Sequence, residues 1–446
     1  MSDPLFTTDA MRAIFSPRAR LARMLEFEAA LARAEASVGV IPQDAADAIA
    51  AHCDVAQFDV GAIDRAARDA GNLAIPLVAA LTRNVGKTDA SARGHVHWGA
   101  TSQDAIDTGL VLQLRDALAL IDADVARLSQ ALALHARRHA ATILPGRTWM
   151  QQALPTTLGV KLAATVSALD RHRDRLAALC ERALVLQFGG AVGTLASLHE
   201  RGLHVSEALG RALHLRVPDM PWHTQRDRIC EIAATLGMLT ATLGKLARDI
   251  ALLAQTEVGE VDEPAGPGRG GSSTMPQKRN PVGASIALAA AVRVPGLVAT
   301  ILSAAVQEHE RGLGDWPAEW EVLPEIVQLA AGALDAMAEV VEGLDVHPQR
   351  MRANLDVTKG LIFAEAVQMA LAPSIGRDAA HALVASACRR AVAQDAHLRD
   401  ILAAEPKVTE VLDRAEIERL FDPAGYLGMS GAYVERALAR HFRHED

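Results

Sequence analysis

Two runs of apolar residues restrict the fold more than any other feature. Ile229, Ile232, Leu236, Leu239, Leu243, Leu246, Ile250 and Leu253 alternate at spacings of three and four, and so do Val111, Leu114, Leu118, Ile121, Val125, Leu128 and Leu132. This near-3.5 period places each series on a single stripe of a helix, the pattern of bundle packing. Residues 229–258 contain no proline, and at 1.5 Å per residue they predict a helix about 45 Å long. Such a helix needs long partners to cover its stripe. Leu162, Val166, Leu169 and Leu176, and later Val322, Ile326, Leu329, Ala333, Val340 and Leu344, repeat the pattern more weakly.

Composition agrees. Half of the 446 residues are apolar but only 3% are aromatic, so cores must be built from Ala, Leu, Val and Ile, which favours close helix packing over a sandwich of sheets. The expected fold is all-α with three helical domains: 1–108, a central bundle of long helices at 109–348 with a loop at 263–283, and 349–446. Prolines at 4, 17, 42 and 76 and at 348, 373 and 406 punctuate the flanking regions. No alternation persists long enough to predict a sheet.

Net charge is −9 with both signs mixed and no basic face, which argues against nucleic acid as a partner. The four cysteines are far apart, as expected of reduced thiols in a cytoplasmic protein. The most apolar stretch, Val282 to Val306, contains Arg293 and Pro295 and is read as falling short of a clean membrane span. No secretory signal opens the sequence. His135 and His139 stand at a zinc-like i, i+4 spacing, but without the glutamate of a His-Glu-x-x-His string they read as a solvated helix face.

One segment departs from helical patterning, Glu263-PAGPGRGGSSTMPQKRNPV, with four glycines and four prolines ahead of Val282. Glycines allow backbone amides to approach a ligand and a loop to move. Ser272, Lys278 and Asn280 supply a hydroxyl, a charge and an amide, the chemistry of small-anion binding; Lys278 is one of only six lysines. By composition alone the segment is equally an ordinary connection.

The string Gly271-SSTMPQKRNP resembles the signature loop of the fumarase/aspartase superfamily, Gly-Ser-Ser-x-Met-Pro-x-Lys-x-Asn-Pro, at every fixed position. Gly99-ATSQDAIDT and Gly146-RTWMQQALPTTLG resemble two further conserved segments of that superfamily. Thr101 and Ser102, which would otherwise read as helix caps, then become candidate ligands of a substrate carboxylate. The resemblance implies a homotetramer built on the central bundle, with active sites shared between chains; no cofactor or metal is expected, since the sequence offers no ligand cluster and the chemistry needs only proton transfer and carboxylate binding. By the same resemblance Ser272 is the proton shuttle, assisted by Lys278 and Asn280. Gln225, in Thr224-QRDR, and Arg311, in His309-ER, are further candidate substrate contacts; their plainer readings are a helix-start residue and a structural ion pair. His97 reads as a structural hydrogen-bonding residue.

Departures from the superfamily pattern narrow the chemistry. Most members carry a histidine where Trp149 stands, and adenylosuccinate lyases carry another where Asn72 stands; both positions remain candidate substrate contacts. An amine or hydroxyl leaving carbon must be protonated. A carboxylate need not be, since its acid has a pKa near 4. The missing histidines therefore suit a reaction in which a carboxylate adds to a double bond and closes a lactone. The wider resemblance, including Gln307-EHERGLGDWPAEWEVLPE and Leu355-DVTKGLIFAEAVQMALA, points to the cycloisomerases of the superfamily, which act on a small tricarboxylate in the breakdown of aromatic compounds. The alternative is an adenylosuccinate-type lyase that eliminates fumarate, and a non-catalytic protein on this scaffold is a third. Gln152 has no assigned role.

Overall fold

The structure is a computed structural model that describes residues 3–266, 270–271 and 273–443. Five helices dominate it: Ser102–Arg138, Leu158–Ala183, Asp227–Leu253, Val282–Ala304 and Asp315–Glu342. Every residue of the two leading apolar series is buried, so the stripe read from the spacing is the stripe that packs. The 37 residues of the first helix make a rod of about 55 Å. Pro295 and Pro324 lie inside helices, where each removes one backbone donor. The Val282–Ala304 helix nevertheless runs unbroken through Pro295. By length and composition alone it and Asp227–Leu253 are apolar enough to cross a membrane, a test that core helices of water-soluble proteins also meet.

The chain packs as two compact units, each assembled from separate stretches. The first comprises Met1–Val125, His172–Gly244 and Ile286–Ala336, and the second Ala126–Arg171, Lys245–Ser285 and Met337–Asp446. In the first, the helix Pro17–Ser37 buries Met24, Leu25, Phe27 and Leu31, and Arg226 forms the charged centre. Its guanidinium is 1% exposed and pairs with Asp107 at 2.7 Å and Glu319 at 2.5 Å, while Trp316 Nε1 donates to Asp107 at 3.0 Å. Breaking such a buried network by removing one partner costs about 3–5 kcal/mol.

The second unit holds a feature that the sequence did not announce, a β-hairpin of Ile143–Thr148 and Gln151–Thr157 with a register shift between Pro145 and Arg147. Trp149 and Met150 turn it, both with positive φ (50° and 64°). A two-residue turn of this kind ordinarily recruits Asn and Gly, and that is why Trp-Met hides it. Arg147 clamps Glu260 at 2.9 and 2.6 Å, and Glu260 accepts from Asn354 Nδ2 at 2.7 Å. The Gln152 amide donates to the Asn354 carbonyl at 3.0 Å, which gives that residue a structural role as a hairpin anchor. A short ladder pairs Val261–Asp262 with Asp345–Val346. The C-terminal helices close a separate core around Val367, Leu371, Val384, Leu398, Leu402 and Val408.

Candidate active site

In the first unit the Thr101–Ser102 pair begins the Ser102–Arg138 helix. The start of this helix is fixed by Asp104, whose carboxylate accepts from the backbone N–H of Thr101 (3.0 Å), Gly189 (3.0 Å) and Gly190 (2.9 Å) and from Gln187 Nε2 (3.2 Å). His223 Nε2 lies 2.8 Å from the same carboxylate. Asp104 is fully buried, and these contacts offset the desolvation of its charge.

Arg311 reaches this turn from far along the chain. Its guanidinium donates to Thr101 Oγ1 at 3.0 Å, to Gln103 Oε1 at 3.1 Å and to the Ala191 carbonyl at 3.1 Å. Gln103 is held in turn by Asp107 (3.0 Å) and the His223 carbonyl (2.8 Å). An arginine beside a threonine hydroxyl is suited to gripping a carboxylate. His309, two residues earlier, has a positive φ of 47°, and its carbonyl accepts from Thr224 Oγ1 at 2.9 Å. That bond ties the Arg311 segment to the turn bearing Gln225, which is itself exposed.

Close by in sequence, His97 has φ 58° and its Nδ1 meets the buried Glu28 carboxylate at 2.6 Å. Burial pulls the imidazole pKa down, but the Glu28 charge and hydrogen bond outweigh it and lift the pKa above its ordinary value. Asn72 is half-buried and its Oδ1 accepts from the Ala74 and Ile75 amides at 3.0 and 3.2 Å, so it satisfies two donors in the first turn of the helix Ala74–Thr88.

The remaining candidates belong to the second unit. Trp149 at the hairpin tip is 97% exposed. Lys278 is exposed, and its N–H donates to the Met275 carbonyl at 3.0 Å. Asn280 donates its N–H to the Gly270 carbonyl at 2.8 Å and its Nδ2 to the Gly271 carbonyl at 3.3 Å, closing the base of the loop. Gly270 has φ 66°, and an added Cβ would fall 2.7 Å from the Asn280 carbonyl, so a side chain there is excluded twice over. Glu263 caps the next helix, accepting from the Gly283 and Ala284 amides at 3.0 and 2.8 Å. Ser272 lies outside the described residues.

The structure thus brings Thr101, Ser102 and Arg311 together and supports them with Gln103, Asp104, Asp107 and His223, which the sequence reading did not single out. Asp104 and Asp107 were detectable as acids three apart beside an apolar stripe; His223 was not, since 119 residues separate it from Asp104. His135 and His139 stack their rings at 5.9 Å and His139 is buried, so the solvated face read for this pair is incorrect. Among the described residues Asp262, Asp345 and His347 form a group whose ligand atoms lie within 4.8 Å of one another, and Arg279 pairs with Asp262 at 3.2 Å. Burial raises the pKa of all four thiols, away from nucleophilic use.

Long packed helices and a Thr-Ser helix start held by an arginine fit the helical lyase class that the sequence resembles. Residues 5–296 match the family described as Lyase, and residues 360–437 match the one described as Adenylosuccinate lyase C-terminus. The chain belongs to this lyase family, the fumarase/aspartase superfamily. It is 57% identical to a 3-carboxy-cis,cis-muconate cycloisomerase of Pseudomonas aeruginosa, over 98% of this chain and 96% of the relative. The crystal structure of 3-carboxy-cis,cis-muconate lactonizing enzyme from Pseudomonas putida superposes with a TM-score of 0.94 at 54% identity, covering 99% of this chain and 98% of that one. For the β-carboxy-cis,cis-muconate cycloisomerase of Acinetobacter calcoaceticus the TM-score is 0.92 at 45% identity, covering 98% and 99%.

Proposed function

We propose that this protein converts 3-carboxy-cis,cis-muconate to 4-carboxymuconolactone in the catabolism of protocatechuate by the β-ketoadipate route. One substrate carboxylate adds to a conjugated double bond, forming the ring C–O bond, and the electron pair moves to the carbon beside another carboxylate. Ser272 delivers a proton to that carbon and is reprotonated from water. Lys278, Asn280 and the loop amides stabilise the serine oxyanion and the enolate charge. Thr101, Ser102 and Arg311 hold a second carboxylate, with Gln225 and Asn72 as further contacts. The chain's own residues suffice for this chemistry, without a cofactor or metal.

The observation that carries this reading is the near-full-length identity to cycloisomerases in a chain with Trp149 where a leaving-group acid would stand. Two features support an assembly of four chains with shared active sites. Trp149 is 97% exposed at a turn, and the Val282–Ala304 helix leaves Val292 76% and Leu302 52% exposed; apolar surface of this kind is costly unless covered. The three-domain division at 109 and 349 and a cytoplasmic location belong to the same proposal. A second reading, an adenylosuccinate-type lyase, draws on the match over residues 360–437; Trp149 and Asn72 weigh against it.

The test is to mix purified protein with 3-carboxy-cis,cis-muconate, with and without EDTA, and follow the diene absorbance. Rapid loss with lactone formation is expected in both samples. Inertness toward this substrate together with turnover of adenylosuccinate would reverse the order of the two readings.

A further inference from the structure

A cavity of about 530 Å³ lies in the first unit, lined by the N-terminal segment and by parts of three long helices. None of the candidate site residues lines it. Phe6, Phe15, Met24 and Leu110 contribute apolar surface, while Arg20 and Trp320 bring donors. Its volume falls in the range of small-molecule sites.

The donors are under-used. Arg12, also on the lining, has its Nε buried with no hydrogen-bond partner, and so has the indole Nε1 of Trp320. Trp316, stacked edge-on against Trp320 at 4.9 Å, is by contrast satisfied through its bond to Asp107. The Arg20 guanidinium stands 6.0 Å from the Trp320 ring centre and has no hydrogen bond or ion pair with any described residue. Burial lowers its pKa more than the charges of Asp64 and Glu321 raise it, as expected of a cation drawn from water without a contact partner. Of the other charges on the wall, Arg293 and Glu325 neutralise each other in an ion pair, the Nη2 of Arg12 pairs with Asp9 at 3.2 Å and leaves its Nε free, and Asp3 accepts from the Leu5 amide. Glu321 is left as the acid in the field of Arg20. A buried donor without an acceptor is rare in folded proteins, and here two sit on the wall of one cavity beside an unpaired guanidinium.

We propose that this cavity binds a small monocarboxylate with an apolar or aromatic body, the carboxylate being received by Arg20 with Trp320 Nε1 and Arg12 Nε. A carboxylate has about four acceptor positions, enough for all these donors. A single negative charge matches Arg20, whereas a dianion would meet Glu321. The apolar surface selects the body of the ligand.

Calorimetric titration of the full-length protein with benzoate tests this, with acetate and inorganic phosphate as comparison probes. Benzoate binding in the submillimolar range is expected, with acetate and phosphate at least ~10-fold weaker. Trp320→Phe, which removes the indole donor, and Arg20→Gln should each weaken benzoate at least ~10-fold, the scale for loss of one charge-assisted hydrogen bond. Turnover and melting curve should stay unchanged in both. Crystals soaked with 4-iodobenzoate add a readout that needs no variant to fold, since anomalous iodine density should appear in the cavity. Absence of benzoate binding, unchanged affinity in both variants, equal affinity for acetate or phosphate, or iodine found only elsewhere would each overturn the proposal. Density in the cavity without a titration signal would mean binding at crystal concentration only, and would overturn it too.

Discussion

Arg311 and Thr101, 210 residues apart in sequence, are joined by a hydrogen bond of 3.0 Å from the guanidinium to the threonine hydroxyl. Three acceptors share this one side chain, two at the helix start and the third at the Ala191 carbonyl, so the guanidinium plane is set before any substrate arrives. Such preorganisation is the form in which a donor contributes most to charge stabilisation.

Replacing Arg311 by Lys keeps the charge and loses the fork. Arg311→Lys should lower kcat/KM about 10- to 100-fold, the equivalent of one or two charge-assisted hydrogen bonds, with most of the loss in KM. Steady-state kinetics beside a circular-dichroism melt would decide it. Unchanged kcat/KM in a folded variant removes Arg311 from substrate binding.

The long helices were legible because their burial stripe is written at a fixed period and nothing else in the chain competes with it. The hairpin was not. Its strands contain Pro145, Gly146 and Pro155, its register slips at Pro145/Arg147, and its turn places Trp and Met at positive φ. Each of these lowers strand propensity, and tertiary clamps such as Arg147–Glu260 (2.6 Å) hold the hairpin instead. At the candidate site, the Thr-Ser pair and the loop string could be read because they are contiguous. The Asp104–His223 and Arg311–Gln103 contacts join distant segments, and local sequence carries no record of such pairing.

Ser272→Ala tests the proton shuttle. Loss of a general acid–base group costs at least ~10²-fold in turnover, and removal of a single side-chain oxygen should leave the melting temperature unchanged. A folded variant with near-normal turnover would exclude Ser272 from the mechanism.

The Glu28–His97 pair makes a pH-dependent prediction. The folded imidazole has a raised pKa, so protonation stabilises the fold. That stabilisation is fully present below the unfolded value of about 6.5 and is lost as pH rises through the folded pKa. Wild type should therefore exceed Glu28→Gln in thermal stability by most at acidic pH, with the gap narrowing above neutrality. A gap that is constant across the range, or that widens with rising pH, would show that the ion pair is not its source.

Trp149 carries the sharpest prediction. If the nucleophile is a carboxylate, lactonisation needs one proton donor and no histidine to assist an oxygen. In the proposed mechanism the exposed indole serves to wall the site, excluding water and strengthening the carboxylate contacts by lowering the local dielectric. Trp149→Phe keeps an aromatic wall and should retain much of the activity, whereas Trp149→His should bring no gain. The rate at saturating substrate should show no limb from an essential histidine between roughly pH 5.5 and 7.5, the ordinary titration range of that side chain. A limb in that range, abolished together with turnover by replacing His97 or His309, would sink the acid-free mechanism and favour a lyase.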